Sequence, residues 1–194
     1  MYQDILTIAV VTVFAFFAIY WMWFQGEVDG SRLIAKNSMK QQKFNIILVL
    51  VAAFIVKAIL AVKNEGYSVD ITCFRSWSET VFTGGLSHFY EGDVTDYPPG
   101  YMLVLWLVAA IRHLFNINNY STTGLFMIKL FPMLFDLAAA YLIYVMAKKR
   151  FSEGMSLMLS TLYALNPAVV IDSSVWGQAV SYTHLRAHET CADL

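Results

Sequence analysis

Long apolar runs alternate with short polar intervals along the chain, and this pattern is typical of a membrane protein. Residues 5–24 and 44–62 are apolar stretches near the length of about 20 residues that spans roughly 30 Å of hydrocarbon. Two later apolar stretches, residues 124–147 and 155–171, bring the number of predicted spans to about four. We therefore expect an all-α fold, a polytopic bundle of membrane helices.

The composition agrees with this pattern. Charged residues make up 14% of the chain, against about 25% in soluble domains. The net charge of −1 gives no basis for nucleic-acid binding, so membrane lipid is an expected partner and nucleic acid is not. The two cysteines, Cys73 and Cys191, predict no disulfide framework.

Basic residues predict the orientation of the spans. They are concentrated in the loop after the first span and at residues 148–150, and short basic loops are usually cytoplasmic. The first loop contains Arg32, Lys36, Lys40 and Lys43.

Residues 5–24 fit a signal peptide poorly, because Asp4 replaces a basic start and no small-residue cleavage site follows. Lys57, near the outer end of the second span, is expected to snorkel toward the interface.

The polar interval 64–123 is then an outer loop with helices of its own. Phe74, Trp77, Val81 and Phe82 recur at helical spacing, which predicts a short amphipathic surface helix that ends at Gly84-Gly85. A second helix is predicted at residues 100–115, after Pro98-Pro99. It either spans the membrane or lies beside it, and we favour the second alternative because a span would place residues 148–150 outside.

The end of the chain is predicted to be foreign to the protein. Residues 180–190 read VSYTHLRAHET, which resembles one translated frame of a transposase-type sequencing adapter, eleven residues in order. Residues 179–194 are therefore expected to be adapter-derived, so they carry no functional argument. The alternative is a polar cytoplasmic tail. The native protein is expected to continue past Gln178.

Two acidic residues of the outer loop are candidates for chemistry. Asp70 lies just outside a span and just before the surface helix, where a carboxylate could act as a general base toward an acceptor hydroxyl. The alternative for Asp70 is a helix N-cap. Asp96 and Tyr97 precede the double proline, which would hold them rigidly at a helix start. Their alternative is an ordinary turn.

Ionisable and polar residues of the later spans form two further groups. Lys129 and Asp136 are seven residues apart in one span, so they would share a face and point into the protein, as a substrate site or as a structural pair. Asn166-Pro167 would break the last span. An Asp and then an aromatic residue with a Gln follow this break. They could bind sugar hydroxyls or a lipid phosphate, or they could form an interfacial belt and loop. They are Asp172, Trp176 and Gln178.

Together these motifs resemble the C-type integral membrane glycosyltransferases, which use polyprenyl-phosphate sugars. The likeness is greatest to dolichyl-phosphate-glucose transferases and to bacterial GPI-type mannosyltransferase-like proteins. It covers roughly residues 44–178. The matching positions, in the order of the family pattern, are Asp70, Arg75 and Trp77, then Asp96 and Tyr97 with the two prolines, then Lys129 and Asp136, then Asn166-Pro167, Asp172, Trp176 and Gln178. The family often has a His where this chain has Val175.

The resemblance implies the N-terminal part of this fold, with residues 1–43 as first span and cytoplasmic loop and residues 64–123 as catalytic outer loop. It implies hexose transfer to a glycan, lipid or protein hydroxyl, with inversion. Asp70 would be the base, and the other matched residues, Arg75 among them, would bind substrate. No cofactor is expected, and whether the enzyme needs a divalent metal ion is left open by the resemblance. The alternatives are a transporter or lipid flippase and a non-catalytic polysaccharide-assembly protein.

Overall fold

The computed structural model describes residues 39–90, 97 and 99–178. Within these residues every element is helical. The helices are α1 (Met39–Lys63), α2 (Ser68–Phe89), α3 (Pro99–Leu114), α4 (Thr122–Ala147), α5 (Glu153–Ala164) and α6 (Pro167–Val170), followed by a π-helical turn (Ile171–Trp176). The predicted first span 5–24, its loop up to residue 38, Asp96 and the tail 179–194 lie outside the described residues.

Two of these helices are long and apolar enough to cross a membrane: 22 residues of α1 (Gln42–Lys63) and all 26 residues of α4. The pair formed by α5 and the segment Pro167–Trp176 would add a third span if the two count as one, and they are bent by 46°. The part of the chain that the structure describes is therefore all-helical, with two or three candidate membrane spans.

Local sequence signals explain the helix boundaries. In α2 the backbone leaves helical geometry at Gly85 (φ 78°), so the predicted end at Gly84-Gly85 appears as a break within a longer helix. The side chain of Ser152 caps α5 by accepting a hydrogen bond from the Met155 amide. Asn166 caps α6 in the same way, and Pro167 follows as its first residue. The predicted break at Asn166-Pro167 is confirmed.

The described residues cluster into two compact units. The first comprises residues 39–57 and 136–171. Its packing uses small residues: Ala53, Ala140 and Ala164 are almost fully buried together. The Ser160 hydroxyl donates to the Ala140 carbonyl over 2.8 Å. Close approach of small residues and a hydroxyl between helices are typical of membrane bundles.

The second unit comprises residues 58–135 and 172–178. Its core is formed mainly by α2 and α3, and the helical spacing predicted for α2 is confirmed, because Phe74 and Val81 are buried in that core. On α3 the buried face includes Tyr101, Met102, Leu105 and Val108. α3 has 16 residues and is therefore about 24 Å long, which is short for roughly 30 Å of hydrocarbon.

One prediction about the spans is wrong. Lys57 does not snorkel to an interface: its side chain is fully buried and forms an ion pair with Asp136. The physical reason is that a carboxylate on a neighbouring helix offers the ammonium a compensating charge inside the protein. Lys129 and Asp136 are both fully buried, so the expectation that they point into the protein is confirmed, but the described partner of Asp136 is Lys57.

Candidate functional site

The candidate site lies in the second unit, where the start of α2 meets the end of the π-helical turn. The Tyr67 amide donates to the Trp176 carbonyl over 3.4 Å, and the Gln178 side-chain amide donates to Oδ2 of Asp70. Gln178 is held in turn, because its backbone amide and that of Gly177 both donate to the Asp172 carbonyl over 2.9 Å. Sequence positions 108 residues apart are thereby brought into contact.

Asp70 lies inside the first turn of α2. The Tyr67 carbonyl accepts from the Ile71 amide over 3.0 Å, so Tyr67 occupies the cap position. The N-cap alternative for Asp70 is therefore wrong. A carboxylate in this first turn is stabilised by the helix dipole. Among the described residues only Gln178 donates a hydrogen bond to this carboxylate, and it does so to Oδ2. Oδ1 therefore has no described donor and is open to a ligand.

Lys129 fastens the two segments that carry the site. Its ammonium is buried and donates to the carbonyls of Asn64 (2.7 Å) and Ala61 (3.4 Å) at the end of α1. It also donates to the carbonyls of Val175 (3.0 Å) and Ser174 (3.2 Å) in the π-helical turn. Carbonyls at helix C-termini are favourable partners for a cation. Lys129 thus holds the backbone of the two segments that precede Asp70 and Gln178 in the chain.

Two glycines that the sequence argument did not use permit this close approach. Gly66 has φ +90°, and a Cβ there would lie 2.7 Å from the Ile71 side chain and 3.0 Å from the Trp176 carbonyl oxygen. Gly177 has φ +83°, and a Cβ there would lie 3.0 Å from Ile71 and 3.2 Å from Lys129. Positive φ is unfavourable for other residues, so these glycines are part of the site's construction. Their positions next to Tyr67 and Trp176 were the available signal.

Aromatic rings line the side of the site formed by α2. Tyr97 contacts Phe74 (5.3 Å between ring centroids) and Trp77 (5.6 Å). Burial, together with the negative charges of Asp70 and Asp172, raises the pKa of Tyr97 to about 12. Tyr97 is therefore a neutral phenol at physiological pH, and both carboxylates lie close enough for their charges to act on it.

The structure brings together most, not all, of the predicted site residues. The group that converges comprises Asp70, Tyr97, Lys129, Asp172 and Gln178, with Trp77 beside Tyr97. Trp176 contributes its carbonyl, and its side chain is exposed. Asp136 belongs to the first unit. Asp96 lies outside the described residues.

Arg75 lies apart from Asp70. Five residues along a helix correspond to a rotation of about 140°, so the two side chains leave α2 in different directions. The Arg75 guanidinium lies over the Tyr120 ring, 5.2 Å from its centroid. Its Nε is buried and donates no hydrogen bond within the described part of the chain. Among the described residues it forms no ion pair, so this cation is available to an anionic ligand.

A second polar group was not recognised from the sequence. Glu79 of α2 binds Arg112 and His113 of α3, the latter over 2.9 Å. Burial alone would raise the pKa of the Glu79 carboxyl, but hydrogen bonds from His113 and Arg112 outweigh it and lower the pKa below its usual 4.5. Asn119 joins the group by donating to the Arg75 carbonyl over 3.2 Å. The available signal was Arg112 itself, a basic residue in an apolar helix.

Within residues 39–90, 97 and 99–178, no group of three or more His, Cys, Asp or Glu side chains is arranged to hold a metal ion. Comparison of the chain with family models, with curated proteins and with solved structures found no match in any of the three. The arrangement of residues is therefore the basis for a functional assignment.

Proposed function

We propose that this protein transfers a hexose, such as mannose or glucose, from a polyprenyl-phosphate donor to a hydroxyl acceptor, with inversion and with Asp70 as general base. The single observation that supports the proposal is the convergence at Asp70. Residues from the start of α2, from α4 and from the π-helical turn meet around one carboxylate whose Oδ1 is open. These are the motifs in which the sequence resembles the C-type glycosyltransferases.

The chemistry follows from the contacts of Asp70. The Gln178 amide fixes the carboxylate by holding Oδ2, so Oδ1 can accept the proton of an acceptor hydroxyl. The deprotonating hydroxyl attacks the anomeric carbon, and the bond from that carbon to the phosphate oxygen breaks. Inversion results because the attack comes from the face opposite the leaving group. Tyr97 stays protonated beside the site and can donate a hydrogen bond to sugar oxygens.

The leaving polyprenyl phosphate needs a cation. Arg75 is the candidate phosphate ligand because its guanidinium lacks an acidic partner among the described residues. The Lys129 ammonium, by contrast, already donates to backbone carbonyls. Lys129 therefore acts as a positioning residue. An arginine can bind phosphate through two parallel hydrogen bonds.

The proposed setting is the outer face of a multi-pass bacterial plasma membrane. We propose about four spans, with α3 beside the membrane rather than through it, so that residues 64–123 lie outside and Lys148, Lys149 and Arg150 lie in the cytoplasm. The donor lipid and the catalytic loop then share one plane, which orients the reactants.

The test is transfer of sugar by the protein, with the variants Asp70→Asn and Glu65→Gln compared with the unsubstituted chain. Asparagine keeps the size of Asp70 and can still accept from Gln178, but it cannot take a proton. A general base contributes about 10²- to 10⁴-fold, so turnover should fall by that factor while donor-lipid binding persists. Glu65→Gln removes an exposed carboxylate nearby and should leave turnover unchanged. Near-native turnover in Asp70→Asn would remove Asp70 from the mechanism.

A further inference from the structure

A polar cavity of about 310 Å³ lies between α2, α3 and the loop that follows α3. It belongs to the second unit and is separate from the contacts of Asp70. Its volume is at the lower end of the range of about 300 to 1,000 Å³ that is usual for small-molecule sites. The residues that line it and that carry polar groups are Glu79, Arg112, His113, Asn116, Asn118 and Asn119.

Two residues that line the cavity carry polar atoms without a described partner. Nε of Arg112 and Oδ1 of Asn119 are buried and accept or donate no hydrogen bond among the residues that the structure describes. A buried polar group without a partner costs free energy. A ligand or solvent in the cavity that supplies one acceptor and one donor would remove that cost.

The free groups are mixed in kind. Arg112 offers a donor and Asn119 an acceptor, while the exposed Asn116 amide offers both. The charge of Glu79 is already balanced by Arg112. The unpaired guanidinium of Arg75 does not line the cavity, so a strongly anionic or cationic ligand would meet no uncompensated counter-charge in the lining. Neutral hydroxyl groups, each of which donates and accepts, match this set.

The lining also includes one flat ring, that of His113. The His113 ring stacks on Phe82 with 4.5 Å between centroids and an interplanar angle of 8°. Ile117 adds an apolar wall. A sugar ring presents hydroxyls at its edge and C–H groups on its faces, and it therefore fits a site that combines amide groups with a flat, largely apolar surface.

We infer that this cavity between Glu79, Arg112 and Asn116–Asn119 binds a neutral saccharide. Its use as the site of a glycan acceptor rests on the glycosyl transfer proposed above, but saccharide binding itself rests on the cavity alone. Asn116 has φ +52°, a conformation that glycine adopts without strain. Asn116→Gly therefore removes the amide and keeps the backbone of the loop.

The experiment measures binding of methyl α-mannopyranoside and methyl β-glucopyranoside to the chain by saturation-transfer NMR, in a detergent without sugar headgroups. Inorganic phosphate serves as the anionic probe. We expect at least one glycoside to bind at millimolar concentration, and Asn116→Gly to weaken it about five- to tenfold through loss of one or two hydrogen bonds. Thr123→Ala, which removes an exposed hydroxyl outside the cavity, is the matched control. Helical circular dichroism checks that each variant is folded.

Three results would overturn the inference: no glycoside binds, binding is equal in Asn116→Gly and the parent chain, or phosphate displaces the glycoside. Asp70→Asn should bind the glycoside as the parent chain does, because Asp70 does not line the cavity. Full sugar transfer by Asp70→Asn would overturn the proposed mechanism and leave saccharide binding standing. The two failures are thus distinguishable.

Discussion

Two lysines on candidate membrane spans are fully buried, and their partners differ in kind. Lys57, in the first unit, pairs with the Asp136 carboxylate. Lys129, in the second unit, donates to four backbone carbonyls and forms no ion pair with a described carboxylate. Both arrangements give a buried ammonium hydrogen-bond partners away from water. The Asp136 carboxylate neutralises the charge of Lys57, whereas the charge of Lys129 holds two backbone segments together.

The difference separates a structural role from a positioning role. The Lys57–Asp136 pair joins two helices, and its disruption would leave a buried charge. The carbonyls bound by Lys129 belong to the segments that precede Asp70 and Gln178, so we expect Lys129 to position the candidate base. We expect variants of Lys57 to change stability throughout the first unit, and variants of Lys129 to change the site locally.

The largest effect is expected for Lys57→Met. Removal of the ammonium deprives the buried Asp136 of this counter-charge, and the cost of breaking such a pair is about 3 to 5 kcal/mol. The free energy of unfolding, measured in mixed micelles by titration with a denaturing detergent and followed by circular dichroism, should fall by this amount. In the double variant Lys57→Met with Asp136→Leu, much of the loss should be recovered. A double variant as unstable as the single one would show that charge pairing is not the cause.

A smaller and more local effect is expected for Lys129→Met. Hydrogen bonds to a charged donor contribute about 1.5 to 3 kcal/mol, so the amides of Tyr67, Gly177 and Gln178 should exchange with solvent roughly 10- to 150-fold faster. Hydrogen-exchange mass spectrometry of the peptides containing these amides provides the measurement. Lys63→Met, which removes an exposed ammonium at the end of α1, is the control and should leave their exchange unchanged. Unaltered protection in Lys129→Met would mean that Lys129 does not position the site.

The predictable part of the fold was the part with local signals. The bounds of α3 were predicted to within one residue, because prolines mark its start and Arg112-His113 its end. The break at Asn166-Pro167 had a similar cause. The partner of Lys57 could not be predicted in this way, since Asp136 is 79 residues distant and periodicity does not reveal which helices pack together.

The site was predictable in its residue types and not in their roles. Asp70, Tyr97 and Gln178 are polar residues next to apolar spans, which made them candidates. The role of Lys129 escaped prediction because its partners are backbone carbonyls, and every residue type carries one. The cavity beside Glu79 escaped it for another reason: three asparagines in a loop are equally typical of an ordinary turn.

The smallest of these effects is expected for Gly177→Ala, which tests the positioning role while Lys129 itself is not substituted. Alanine at φ +83° carries a backbone penalty of about 1 to 2 kcal/mol, and its Cβ would press on Ile71 and on the aliphatic part of Lys129. We expect a loss of stability of this size and faster exchange at Tyr67. Gly84→Ala is the matched control, because that helical glycine has nothing within 4 Å of a built Cβ, and alanine there should stabilise by about 0.5 to 1 kcal/mol. If Gly177→Ala instead behaved like Gly84→Ala, the close approach of the two segments would not depend on the backbone at Gly177, and Lys129 alone would have to account for the position of Asp70.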